Sequence, residues 1–216
     1  MDDRLVPVRP PRRNRKRLQT PNPEVRQRLM AATAELIRDG DYAALRIEDI
    51  AERAGLSVGT FYLYFDGKAD LFVNLVQEYT LLLRQRMNAA SAGAADVAES
   101  LMRGFDAYLD FVLENERAFL HFVRASGTLA TNAGLLSTWA FNAHAADMLP
   151  GVKAAIAQGV ARKANPTLVA QAIIGLTQHM VVYWLEHKDI CTRDELKAFV
   201  NGFIAFGLAT ATPQSS

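Results

Sequence analysis

The stretch IEDIAERAGLSVGTFYLYFDGK, from Ile47 to Lys68, decides the fold. Ile47, Ile50, Ala51 and Ala54 fall at i, i+3, i+4 and i+7, the apolar stripe of a short helix that Gly55 ends. Ser57 is an N-cap candidate for a second short helix running to about Tyr64, and Asp66-Gly67 breaks the chain again. Two short helices joined by a glycine turn are the layout of a helix-turn-helix. Its second helix must offer short polar groups at its N-terminal end, where base edges lie, and anchor on flanking phosphates. Ser57 and Thr60 sit in that first turn, Gly59 adds no bulk between them, and a helix N-terminus favours phosphate. Phe61 and Phe65, four apart, face inward; Tyr62 and Tyr64 point to different sides. Lys68 opens the next helix, where its ammonium is placed to reach a phosphate. The competing reading is a tight helical corner in an ordinary core.

The string Ile50-Ala51, Gly55-Leu56, Ser57-Val58-Gly59-Thr60-Phe61-Tyr62-Leu63-Tyr64-Phe65 and Lys68 resembles the DNA-binding domain of TetR/AcrR-type transcriptional regulators, over about residues 24–75. Asp39-Gly40-Asp41-Tyr42 resembles that family's link after helix one. The resemblance implies base or phosphate contacts from Ser57, Val58 and Thr60, and phosphate contacts from Tyr62, Tyr64 and Lys68. Two positions depart from the pattern. Leu45-Arg46 stands where Thr or Ser opens helix two; Arg46 lacks a capping acceptor but pairs with phosphate at longer reach. Glu48 would repel phosphate, and is instead suited to accept from a cytosine amino group.

Outward from this segment the pattern stays helical. Asn22 caps and Pro23 opens a first helix on the stripe Val25, Leu29, Ala32 and Leu36, stopped by Gly40. A long helix runs from Lys68 to about Ala89, with Leu71, Leu75, Tyr79 and Leu82 on one face, followed by a small-residue linker. Asp96 with Glu99, and Thr192 with Glu195, read as capping boxes; Asn165-Pro166 repeats the cap-plus-proline signal. Between them, Glu116 to Arg124 reads as a short aromatic helix, 126–134 as a loop, Leu135 to Met148 as a helix, and Pro150-Gly151 as the start of another to about Ala161. No segment has the period-2 alternation of a strand. The expected fold is all-α, about nine helices: an N-terminal three-helix head and a helical ligand-binding and dimerisation body. The expected organisation is a disordered basic arm at 1–21, a head at 22–68, a body at 69–210 and a tail at 211–216.

Charge is unevenly spread. Residues 1–30 hold nine Arg and Lys against three acids, a net +6, so the rest sums to −5 in a chain of net charge +1. A basic front on an acidic body implies a polyanion partner at one end, either through an arm along phosphates or with the arm as an idle solvated tail. Cys191 is the single cysteine, which excludes an intrachain disulfide. No uncharged apolar run of membrane-spanning length is expected, nor a signal-peptide core, so the expected compartment is the cytoplasm.

The body is rich in aromatics and Met, read either as core or as the wall of an apolar ligand cavity. The residues singled out for such a cavity are Met102, Phe105, Tyr108, Phe122, Trp139, His144, His179 and Tyr183. The resemblance implies an inducer pocket without choosing among them. His121, His144 and His179 lack metal-ligand spacing, so no metal and no cofactor is expected. Leu168, Ala172, Leu176 and Tyr183 stripe one late helix (166–186), and Leu196, Phe199, Val200, Phe203 and Phe206 another (193–209). Apolar faces of that size mark association, and the resemblance implies a homodimer through these two helices on a palindromic operator. No phosphate loop, nucleophile elbow or Cys–His signature occurs, and Asp106 and Asp110 read as a solvated helix face, so no enzyme is expected. The expected function is a DNA-binding repressor released by a small, largely apolar ligand. The alternative is a DNA-binding protein without an inducer, acting structurally or through a protein partner.

Overall fold

The computed structural model describes residues 22–40, 42, 44–126 and 132–208. The expected arm at 1–21 and tail at 211–216 lie outside them. The described residues form nine α-helices: α1 Pro23–Asp39, α2 Ile47–Arg53, α3 Val58–Tyr64, α4 Lys68–Ser91, α5 Val97–Glu114, α6 Glu116–Ser126, α7 Asn132–Ala157, α8 Pro166–Glu186 and α9 Arg193–Leu208. No strand occurs among them, so the fold is all-α as expected.

The local signals act as chemistry requires. The Asn22 side chain accepts from the Glu24 N–H, and the Asn165 side chain from the N–H groups of Thr167 and Leu168. Asp96 accepts from Glu99 N–H, while the Glu99 carboxylate reaches back to Ala95 N–H. Thr192 and Glu195 satisfy each other's backbone donors reciprocally. Gly40 stops α1, in extended backbone, with its N–H on the Leu36 carbonyl at 2.9 Å.

Three expectations need correction. The first concerns α7, which runs unbroken through Pro150 where two helices were expected, and already includes 132–134; residues 127–131 of the expected loop lie outside the described set. Proline lacks an N–H and disfavours a helix interior. Here it faces outward, while Ala145 before it and Val152 and Ala155 after it are buried, so packing on both sides holds the helix through the missing bond. The stop comes at Gly159, φ +72, with Val160 N–H on Ala155 O and Gly159 N–H on Ile156 O, a Schellman closure.

The second correction concerns α8, which carries no charge from Pro166 to Leu185 and at mean hydropathy 1.4 is long and apolar enough to cross a membrane by length and composition. One face of it, through Ile173, Val181, Trp184 and Leu185, is built into the body core with Phe105, Leu109, Leu196 and Val200. The third concerns Asp106 and Asp110, which are not merely solvated. They pair with Lys197 and Arg193, tying α5 to α9.

Two cores result. One joins α1, α2 and α3 to the start of α4, through Leu29, Ile37, Ile50, Phe61, Phe65, Leu71, Phe72 and Leu75. The other joins α5, α8 and α9. In α4, Leu83 is buried while Leu82, expected inside, is 42% exposed.

Candidate DNA interface and ligand cavity

The turn between α2 and α3 is a second Schellman closure. Gly55 has φ +64, Leu56 N–H donates to Ala51 O at 2.8 Å and Gly55 N–H to Glu52 O at 2.9 Å. Arg28 of α1 donates to the Ala54 and Gly55 carbonyls at 2.6 and 3.3 Å, so α1 clamps the turn. Phe61 and Phe65 are 0% and 1% exposed, as their spacing requires. They pin α3 to the head and leave Ser57, Gly59, Tyr62 and Leu63 exposed, with Val58 and Thr60 half-buried.

Ser57 and Thr60 are joined rather than independent. Ser57 Oγ accepts from Thr60 N–H at 3.0 Å and lies 2.9 Å from Thr60 Oγ1. Tyr62 is half exposed, whereas Tyr64 packs on the head core and its hydroxyl accepts from Asn22 N–H at 3.1 Å. Tyr64 therefore ties α3 to the start of α1. Lys68 is turned inward: its Nζ donates to the carbonyls of Tyr42 and Leu45 at 3.0 and 2.9 Å. The half-buried ammonium is thereby held by the loop before α2. Sequence reasoning missed it because the partners lie on the preceding loop, 26 and 23 positions away.

At the start of α2, Asp49 does what Arg46 cannot. Its carboxylate accepts from the Arg46 backbone N–H at 3.2 Å, one half of a capping box. The Arg46 guanidinium, exposed, lies 3.3 Å from the Glu48 carboxylate. Backbone N–H donation at the helix start, and then Arg46, hold Glu48 below the usual carboxylate range, so it is ionised at neutral pH. Arg26 and Arg28, counted in the basic front, are both held inside the head. Arg26 donates to Glu78 and Asn74 of α4 at 2.7 and 2.9 Å. The other seven cations of that front lie outside the described residues.

The body encloses a cavity of about 230 Å³ between α4, α5, α6, α7 and α8. Phe105, Tyr108, Phe122 and His144 line it, as expected. Met102, His179 and Tyr183 do not; all three are exposed. On α8 the inward face is set by Ile173, Ile174, Thr177 and Val181, which puts His179 and Tyr183 on the opposite side. Trp139 lies on α7, its side chain outside the described set. The ion pair in the lining was not legible in the sequence. Arg84 of α4 and Asp147 of α7 form a bidentate pair, Nε to Oδ2 and Nη2 to Oδ1, both at 2.6 Å. Burial pushes the His144 imidazole below its ordinary range, opposed by Asp147 and aided by Arg84. Burial likewise pushes the Tyr108 phenol up. Among the described residues no three His, Cys, Asp or Glu side chains gather as a metal site requires.

Residues 29–75 match the family model described as bacterial regulatory proteins, tetR family. The HTH-type transcriptional activator FasR of Mycolicibacterium smegmatis is 28% identical over 111 residues, 51% of this chain and 51% of that protein, so the match spans about half of either. A putative TetR-family transcriptional regulator from Rhodococcus sp. superposes with TM-score 0.73 at 21% identity, over 87% of this chain and 100% of that one. The transcriptional regulator FadR from Bacillus subtilis, solved in complex with stearoyl-CoA, superposes with TM-score 0.71 at 19% identity, over 84% and 98%. The clamped glycine turn, the helix α3 after it and the matched residues agree: residues 29–75 are similar to the head of bacterial tetR-family regulatory proteins, and the described fold is similar to that of solved TetR-family regulators.

Proposed function

We propose that the chain is a repressor whose dimer leaves a palindromic operator when a small, largely apolar ligand enters the body. Residues 22–68 form the reading head and 69–210 the sensing and dimerisation body. The observation that carries this reading is the double duty of α4. Its first turn, at Lys68, holds the head loop, and its residues from Phe72 to Ser91 wall the cavity. A ligand that favours one tilt of α4 therefore changes the placement of α3, by no more than its differential affinity for the two placements. The alternative without an inducer expects a filled body, and the cavity favours the first reading. Binding, not catalysis, is the chemistry assigned to the chain.

The groups assigned to enter or flank the groove are Ser57, Val58, Thr60, Tyr62 and Arg46, of which Ser57, Tyr62 and Arg46 are exposed and Val58 and Thr60 half-buried. Glu48 is available to a cytosine once Arg46 turns to phosphate. The dimer face assigned here is the exposed stripe Leu168, Ala172, Gly175, His179 and Tyr183 of α8, together with Phe199, Phe203 and Phe206 of α9. A two-fold dimer sets half-sites about 34–36 Å apart.

The test is selection of operator from random DNA by the purified chain, then fluorescence anisotropy with and without ligand. Inverted half-sites about one turn apart, and weakened binding when the cavity is filled, are expected. An asymmetric single site, or DNA affinity unmoved by a compound shown to occupy the cavity, overturns the reading. A promoter-reporter assay decides the sign of regulation, since FasR is named an activator.

A further inference from the structure

The cavity has a definite chemistry at its polar groups. Arg84 is the single Lys or Arg among its described lining residues, and Asp147 the single acid. They neutralise each other through two parallel bonds of 2.6 Å. An anionic ligand head would have to displace Asp147 from Arg84 and leave that carboxylate unpaired beside it. Three other polar lining groups are already engaged: Thr177 donates to Ile173 O, Ser91 to Ser100 O, and Asn115 to Phe111 O. Tyr108 differs. It lines the cavity, packed between Phe105 and Phe119, and its hydroxyl is buried with no hydrogen-bond partner among the described residues. A buried hydroxyl left unmatched is unfavourable, and an acceptor placed in the cavity would relieve it.

We propose that the cavity takes an uncharged, mainly apolar molecule bearing one hydrogen-bond acceptor, a ketone, ester or amide carbonyl, to which the Tyr108 hydroxyl donates. This rests on the ligand-cavity reading above and adds the class of ligand. At about 230 Å³ the cavity lies just below the usual range for small-molecule sites, so the molecule is compact. The lowered imidazole pKa of His144 keeps the site neutral at physiological pH. Asp147 acts as a selectivity residue: by holding Arg84 it turns anions away.

Three probes of nearly equal shape separate the possibilities: 4′-butylacetophenone, 4-butylbenzoate and 1-butyl-4-isopropylbenzene. Each is titrated calorimetrically into the full chain and into two variants. The wild type is expected to bind the ketone most tightly. Tyr108→Phe should weaken the ketone about five- to tenfold and leave the hydrocarbon unchanged, which also shows that the variant folds. Asp147→Asn frees the guanidinium and should shift preference to the benzoate. Tightest binding of the benzoate to the wild type, or ketone affinity untouched by Tyr108→Phe, overturns this inference and leaves the ligand-cavity reading standing. Saturation by none of the three overturns both.

Discussion

Lys68 and Tyr42 hold each other from both ends. The Lys68 ammonium donates to the Tyr42 carbonyl at 3.0 Å and stands 4.7 Å above the Tyr42 ring, while the Tyr42 hydroxyl donates back to the Lys68 carbonyl at 3.1 Å. The first residue of α4 is thereby latched to the loop before α2. The Tyr42 ring also meets Phe72 of α4 and His121 of α6, at 4.5 and 5.0 Å between centroids. Head and body therefore share one aromatic joint. Burial pushes the Tyr42 phenol up to about 12, so the hydroxyl remains a donor across the physiological range.

Lys68→Gln should be felt first in stability. Loss of two charge-assisted bonds to carbonyls is expected to lower the unfolding free energy by about 2 kcal/mol in urea denaturation. A phosphate-anchoring lysine would instead leave stability alone and reduce the salt slope of DNA binding by about 1. The two measurements on one variant separate the roles.

Gly55→Ala should lower stability by about 1–2 kcal/mol, roughly 2–8 °C in thermal melting followed by circular dichroism. Two causes combine. The backbone at φ +64 disfavours any Cβ, and that Cβ would meet Arg28 Nη2 at 3.0 Å, disturbing the clamp on the turn. The neighbouring Gly59→Ala meets only Ser57 Oγ at 3.6 Å. It should melt about 2–4 °C above wild type, because alanine is the better helix former by about 1 kcal/mol.

Phe203→Ser with Phe206→Ser should produce monomers by sedimentation velocity while preserving helical circular dichroism. These rings are 56% and 87% exposed, whereas Leu196, Val200 and Ile204 on the inner face of α9 are the ones built into the core. Operator affinity should fall at least tenfold, since one head binds without its partner. A dimer surviving both substitutions would move the interface elsewhere.

Stability should fall as pH drops below 6.5, in part through His144. Its folded pKa lies below the unfolded value, so between the two the unfolded chain binds the proton and the folded chain does not. Its contribution vanishes above pH 6.5 and grows as acid is added. Asp147 and Arg84, the charged groups acting on it, partly offset each other. His144→Gln should therefore flatten the acid limb below about pH 6.5 in denaturation midpoints, relative to wild type. An unchanged limb would remove His144 from the account.

Sequence and structure divide along a physical line. Helix starts and stops were legible, because a cap is a bond between groups a few positions apart: Asn22 to Glu24, Asp96 to Glu99, Asn165 to Thr167, Thr192 to Glu195. The helix-turn-helix was legible for the same reason, since Gly55, Ser57, Phe61 and Phe65 act on their own neighbourhood. The break at Pro150 was misjudged because a local penalty of about 3 kcal/mol is outweighed by burial that the pattern does not display. Four of the eight residues named for the cavity line it, and three face outward. Aromatic content marks what is apolar, not the direction in which it points.

The amino-acid sequence by itself determined an all-helical chain, its caps, and a head shaped for a DNA groove. Tertiary packing alone decided that Lys68 turns to Tyr42 rather than outward, that Tyr64 reaches Asn22, and that Arg84 meets Asp147 across 63 positions. The reason is range. Backbone propensity and capping act within about one helical turn, while the direction of a long side chain is set by whichever partner the assembled helices bring within about 3 Å.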